Sequence, residues 1–158
     1  MTILDRAMAL AQELAALPEQ ERAAALNDVR AILHTVSPFR DEPVDLVLWV
    51  PAESVRANAW NPNSIAPPEL ELLRHSIRED GYTQPIVAFR EDARFEVVDG
   101  FHRYRVGRED VTTRDRVRGH LPVVAVNDGR RAVTDRMAAT VRHNRARGKH
   151  AVTKMSDI

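Results

Sequence analysis

Ile3, Ala7, Leu10, Leu14 and Leu17 recur at alternating spacings of three and four, with Asp5, Arg6, Gln12 and Glu13 between them. That pattern predicts an amphipathic helix. Pro18 ends it and also suits the start of a second helix, because Glu19 and Glu21 favour a helix N-terminus. The second helix carries Arg22, Leu26, Val29, Ile32, Leu33 and Val36 and stops at Ser37-Pro38. Residues 1–40 therefore read as a helical hairpin that buries little by itself. Its stripe must dock on the domain that follows, on a second copy or on another protein; docking in cis is the first expectation.

Asp41-Glu42-Pro43 is a connector, and Leu46 to Val50 is an apolar run of strand length ended by Pro51. The stretch from Arg56 to Asn63 is rich in asparagine and proline and reads as a loop, with Trp60 either anchoring it or stacking on a base. Pro67-Pro68-Glu69 opens a helix with the stripe Leu70, Leu73 and Ile77, and Asp80-Gly81 closes it. Thr83-Gln84-Pro85 leads into a strand, Ile86 to Phe89, and a turn through Glu91-Asp92-Ala93 returns it as a hairpin containing Phe95, Val97 and Val98. Asp99-Gly100 breaks that strand, and His102 to Arg108 begins a helix. Val111 to Gly119 is polar, a loop or ragged helix; Pro122 to Val126 is another strand. Arg131 to Arg147 is helical, with Val133, Met137 and Val141 as its apolar stripe and Asn144 next on that face, amid Arg142, Arg145 and Arg147. Val152, Met155 and Ile158 keep helical spacing to the last residue, so residues 151–158 read as the start of a truncated or frayed element. The fold class is α+β: a small mixed sheet flanked by helices over residues 44–150, preceded by the hairpin.

The chain has 158 residues, 44% hydrophobic and 29% charged, with a formal net charge of zero. This is the composition of a folded domain, and no global field draws it to DNA or an anionic membrane. Arginine dominates from Arg103 to Lys154, whereas acidic residues are commoner before Asp99, so an anion site belongs in the second half. The absence of cysteine excludes disulfides, thiol nucleophiles and cysteine-ligated zinc. With no signal-peptide block or membrane-length apolar run, a cytoplasmic location is expected.

The chemistry concentrates at Phe95 to Arg108. A strand turning on glycine into a helix leaves free backbone N–H groups at the helix start, a natural seat for an anion. Gly100 permits close approach, and Arg103 and Arg105 supply positive charge. Asp99 repels a phosphate but suits Mg²⁺ or a reacting hydroxyl beside one. The plainer alternative is a turn in which Asp99 caps the helix and the arginines are solvated. His102, His120, His143 and His150 match no usual zinc-ligand spacing.

Three pieces in order, Gly81-Tyr82-Thr83-Gln84-Pro85-Ile86-Val87, Asp99-Gly100-Phe101-His102-Arg103 and Arg142-His143-Asn144-Arg145-Ala146-Arg147, together resemble the ParB/sulfiredoxin fold over roughly Leu46 to His150. The hairpin joined to these motifs looks closest to the IbrB-like branch, ParB-like nuclease-domain proteins or co-activators of prophage gene expression. The resemblance implies a nucleotide pocket. Gln84 and Pro85 would border the base; Gly100, His102 and Arg103 would hold phosphates; Arg142, Asn144 and Arg145 would close over them, with Asp99 and Asn144 near Mg²⁺. An IbrB-like relationship also implies a PAPS-reductase-like partner, with a homodimer through the hairpin as the other option. Phe101 stands where sulfiredoxin has its cysteine, which excludes sulfinic-acid reduction.

The expected function is a regulatory module binding ATP or CTP with Mg²⁺, a slow NTPase at most, in DNA-linked or prophage gene regulation. The first alternative is a free-serine-type kinase with Asp99 as base and His102 on the phosphate; the earlier loop offers Asn61 and Asn63 where such kinases use a glutamate. The second is DNA binding or cleavage. Against it stand the absence of a carboxylate cluster for a metal pair and the balanced charge, so any DNA contact is expected in regions outside this chain.

Overall fold

The structure is a computed structural model that describes residues 1–59, 65–126 and 137–142. Two helices open the chain, α1 (Ile3–Ala16) and α2 (Glu19–His34). Thr2 and Asp5 form a reciprocal capping box on α1, and Pro18 serves as the N-cap of α2. The Arg22 guanidinium donates to the carbonyls of Ala15 and Leu17, satisfying orphan acceptors at the end of α1.

The hairpin docks in cis, through α2. Strand β1 (Leu48–Pro51) is an edge strand, and the Asn27 amide pairs with it as a neighbouring strand would: Nδ2 donates to Trp49 O at 2.6 Å and Oδ1 accepts from Trp49 N at 3.0 Å. Pro122, which lacks an N–H, sits opposite Trp49, whose own polar groups turn outward to Asn27. His34 Nδ1 meets Asp45 at 2.5 Å, and Ser37 donates to the same carboxylate at 2.9 Å. The His34 hydrogen bond holds the Asp45 carboxyl below its usual range.

Five strands form one mixed sheet in the order β1-β5-β3-β4-β2, with β2 at Val55–Arg56, β3 at Ile86–Glu91, β4 at Arg94–Asp99 and β5 at His120–Ala125. Strands β1 and β5 run antiparallel, as do β3 and β4, whereas β3–β5 and β2–β4 are parallel. Alternation along the strands separates two cores. Ile86, Ala88, Phe95, Val97, Leu121 and Val123 face α4 (Phe101–Glu109) through its Tyr104. Val98 and Phe89 pack on the other face against Ala139, within the helical residues 137–142.

Helix α3 (Pro67–Asp80) begins and ends where its prolines and Gly81 indicate. It is fastened to α4 and to α5 (Val111–Arg116) by one carboxylate. Asp110 caps α5 by accepting from Thr113 N at 2.9 Å and Thr113 Oγ1 at 2.7 Å, and it pairs with Arg78 of α3. The Arg78 hydrogen bond is the main reason its pKa lies far below the usual carboxylate range. Arg116 closes the corner by donating to the carbonyls of Arg78 and Ile77. Gly107 lets α4 lie close to the sheet, since a Cβ there would run into Leu121 Cδ2 and the Tyr82 hydroxyl.

Several expectations are corrected. No residue of α1 is buried, and Ile3, at the head of its stripe, is 82% exposed; the short loop to α2 lets only Leu14 and Leu17 turn inward. Helix α2 ends at His34, before the expected stop, and Ile32, Leu33 and Val36 stay exposed. Strand β1 starts at Leu48 and includes Pro51, β5 starts at His120 rather than Pro122, and β2, expected as loop, pairs with β4 over two residues. Residues 111–116 form a helix because Asp110 caps it. In 137–142 the inward residues are Ala139 and Thr140, while Met137 and Val141 are 42% and 45% exposed. Small side chains bring this backbone close to the sheet, and Asn58 Nδ2 reaches Thr140 Oγ1 at 3.4 Å.

Two outcomes follow for stability. Gly107→Ala overpacks the α4–sheet contact and should lower the unfolding free energy by about 1–3 kcal/mol, read as a lower urea midpoint. The depressed Asp110 carboxyl contributes fully above the unfolded carboxylate range, and that contribution is lost as pH falls through the lower folded value. Urea midpoints of the wild type should therefore drop more steeply below about pH 4 than those of Asp110→Asn.

Candidate functional site

Strand β4 ends at Asp99, and Gly100 turns the chain at φ +85° into α4. That left-handed geometry favours glycine, and space requires it as well: a Cβ at Gly100 would lie 2.8 Å from Arg103 Nη2. Tyr104 N donates to Gly100 O at 2.9 Å, which closes the first turn and leaves the N–H groups of Phe101, His102 and Arg103 as the helix's orphan donors. The N-cap residue is Gly100, which has no side chain to cap the helix, and the first turn holds no acidic residue. Instead it carries His102 and Arg103, which the positive end of the helix dipole disfavours unless an anion is supplied.

The Arg103 guanidinium folds back beneath Gly100 and joins the turn to the start of β3. Nη1 donates to Gln84 Oε1 at 3.0 Å and Nη2 to Pro85 O at 3.2 Å, while Nη2 lies 3.7 Å from Asp99 Oδ2. Five residues singled out from the sequence, Gln84, Pro85, Asp99, Gly100 and Arg103, thus meet at one end of the sheet. Gln84 is exposed and Pro85 half-buried, so the base-side expectation faces solvent. His102 is half-buried in the first turn, its ring 5.4 Å from that of Phe101, edge to face. Tyr82 supports the assembly from below: its hydroxyl donates to Arg103 O at 2.8 Å, and burial pushes its pKa up to about 12.

Asp99 is only 6% exposed and stands beside the Arg103 cation. For Mg²⁺, the described residues contain no group of three His, Cys, Asp or Glu that could hold an ion. Such an ion fits here only with phosphate oxygens as its main ligands and Asp99 as a single carboxylate.

The expected closure by the last helix falls mostly on residues outside the described ones. Residues 137–142 pack on the face of the sheet opposite α4, meeting it at Val98, one residue before the turn. Arg142 is exposed at the end of that stretch. Asn144 and Arg145 lie outside the described residues, as do Trp60, Asn61, Asn63, Arg147, His143 and His150.

One contributor escaped the sequence reading. Asn58 is 7% exposed, and its Nδ2 donates to Val97 O at 2.7 Å, continuing the β2–β4 pairing with a side chain beside the register shift that precedes the turn. Its signal, an asparagine three residues after the β-branched Val55, was hidden in a loop-like composition. No helix of the described residues is long and apolar enough to cross a membrane.

Comparison with known proteins adds three findings. A family profile described as the ParB N-terminal domain matches residues 39–141, most of the chain. The protein YbdM of Escherichia coli (strain K12) is 50% identical over 150 residues, covering 94% of this chain and 70% of that protein. Among solved structures, the C-terminally truncated chromosome-partitioning protein ParB from Caulobacter crescentus complexed with CTP-gamma-S matches at 21% identity and TM-score 0.47, covering 63% of this chain and 53% of that one. The same protein complexed to the centromeric parS site matches at 24% identity and TM-score 0.41, covering 51% and 41%. The chain spans about half or less of those solved chains. None of these relatives is described as IbrB-like or as the partner of a PAPS reductase.

The Gly100 geometry yields a coupled prediction. Gly100→Ala should cost about 1–3 kcal/mol through backbone strain and the Arg103 collision. Adding Arg103→Ala removes the collision, so a double-mutant cycle from urea unfolding should show a non-additive gain of at least about 0.5 kcal/mol.

Proposed function

Because the chain belongs to the ParB N-terminal domain family, we propose that the turn at Gly100 is the phosphate seat of a nucleoside triphosphate site, with Mg²⁺ on the phosphates and the base beside Gln84 and Pro85. The observation that carries this reading is the glycine-led start of α4, whose first turn holds no acidic residue and carries His102 and Arg103. A phosphate there would satisfy both the N–H donors and the dipole of this helix end.

In this reading each residue has a distinct task. Gly100 lets the phosphates approach the backbone, and His102 meets them from the first turn. Arg103 is a positioning residue: by holding Gln84 Oε1 and Pro85 O it fixes the base side relative to the phosphate side. Asp99 orients Mg²⁺ or its water. Arg142, Asn144 and Arg145 remain candidates for closing the site from the other face. No unpaired general base stands by the turn among these assignments, so hydrolysis would be slow and the bound nucleotide would act as a signal. A role in DNA-linked or prophage gene regulation, and the IbrB-like likeness, belong to this proposal.

Isothermal titration with CTP and with ATP, each with Mg²⁺, tests it. One of them should bind, and His102→Ala should weaken it by roughly tenfold, about 1.4 kcal/mol. Gln84→Ala should narrow the difference between the two bases while leaving inorganic triphosphate binding unchanged. Failure of both nucleotides and of triphosphate to bind the folded protein overturns the reading.

A further inference from the structure

The far half of α2 is fastened to the domain, through Asn27 on Trp49 and His34 on Asp45. Its first two turns instead enclose a cavity of about 480 Å³ against Trp49 of β1 and the corner between α5 and β5. Glu19, Arg22, Ala23 and Leu26 line it from α2, at the three- and four-residue spacing of one helix face. The space exists because that face is small at its middle, where Ala23 has no side chain beyond Cβ to reach the opposite wall. None of Gln84, Pro85, Gly100 and Arg103 lines this cavity, so it is separate from the nucleotide reading.

Ala23, Leu26, Trp49 and Val117 give the cavity apolar walls. Trp49 is a fixed platform among them. The Asn27 amide holds its backbone N–H and C=O, and its ring meets that of Tyr82 edge to face at 6.2 Å. An indole held on both counts can take a second ring against it at little cost in freedom. Small-molecule sites have this form, a concavity of roughly 300–1,000 Å³ with apolar walls and a few polar groups that fix orientation.

The polar groups select the occupant. Arg22 spends Nη2 on the carbonyls of Ala15 and Leu17, while its Nε is buried with no hydrogen-bond partner among the described residues. A buried cationic donor left unmade is costly, and a native one calls for a partner. The one carboxylate of the lining, Glu19, is paired with Arg118 instead. Arg118 makes that pair from the left-handed region, at φ +55°, a conformation that is uncommon outside glycine and clusters at ligand sites. A single guanidinium without its counter-ion asks for one negative charge, and the nearby Glu19 disfavours a second. We propose that this cavity binds a small aromatic carboxylic acid, its ring against Trp49 and Leu26 and its carboxylate on Arg22.

The platform is also the reporter. The chain has two tryptophans, and the Trp60→Phe variant assigns the Trp49 indole N–H in a nitrogen–proton correlation spectrum. Titrating the full wild-type chain with 3-phenylpropionate should move that signal saturably, in the millimolar range expected for so small a ligand. The uncharged 3-phenylpropanamide should bind about tenfold more weakly, having no charge to give Arg22. Arg22→Gln should bring the acid down to the level of the amide and leave the amide unchanged, whereas a merely structural role would move both. Ala23→Phe fills the space and should abolish both shifts. No saturable shift with the acid, equal binding of acid and amide by the wild type, or a preference for the acid that survives Arg22→Gln overturns the proposal. So does an indole signal that follows protein concentration rather than acid concentration, which would assign the cavity to a second copy of the chain.

Discussion

The Arg103 guanidinium, folded beneath Gly100, is the interaction on which the functional end of the molecule depends. Its two terminal nitrogens hold Gln84 Oε1 and Pro85 O while facing Asp99. Those acceptors come from the entry to β3, the donor from α4 and the counter-charge from the end of β4, so one side chain registers three chain segments. Arginine can do this and lysine cannot, because a planar fork offers several donors in fixed directions. The arrangement also explains the glycine: without a Cβ, the backbone lies directly on the guanidinium. Much of the positive charge at the turn is therefore structural, and the orphan backbone N–H groups of the first turn are what an anion would meet.

The direction in which α4 points is set from its other end. Asp110 caps α5, pairs with Arg78 of α3 and so ties together three helices. Gly107 brings α4 against β5, and Tyr82 fills the space between helix and sheet while its hydroxyl holds Arg103 O. With the far end clamped and the near end threaded by Arg103, the N-terminus of α4 is aimed past the end of the sheet before any ligand arrives. A preorganised donor set loses little freedom on binding, and this is what makes so short a helix a credible anion seat.

The sheet was legible where alternation was strict. Ile86 to Phe89 and Phe95 to Val98 read as a hairpin because neighbouring side chains serve opposite cores, and α3 read well because proline and glycine bracket it. The grouping of Gln84 and Pro85 with Gly100 and Arg103 was visible only as a likeness of motifs, since nothing in residue spacing says that an arginine will fold back across 18 positions to a proline carbonyl. Strand β2 was hidden because two residues carry no period, and Asn58, which extends it, looks like any loop asparagine. The last helix misled through its size pattern. Met137 and Val141 suggested an inward stripe, yet close approach to the sheet favours Ala139 and Thr140, so steric fit outweighed hydrophobicity.

The hairpin raises a separate question, because its two helices do unequal work for the domain. Helix α2 protects an edge: the Asn27 amide occupies the outward N–H and C=O of Trp49, groups that would otherwise invite another chain to pair. His34 and Asp45 fasten its far end. Helix α1 adds little to this, having no buried residue of its own, and a lone helix of its length is marginal in water. Leu14, Leu17 and the Arg22 contacts give it a hold on α2, but that hold does not use the Leu4 and Met8 side. The hairpin is thus a device for sealing the sheet edge, with α2 facing inward to the domain and α1 held on it only at the loop end.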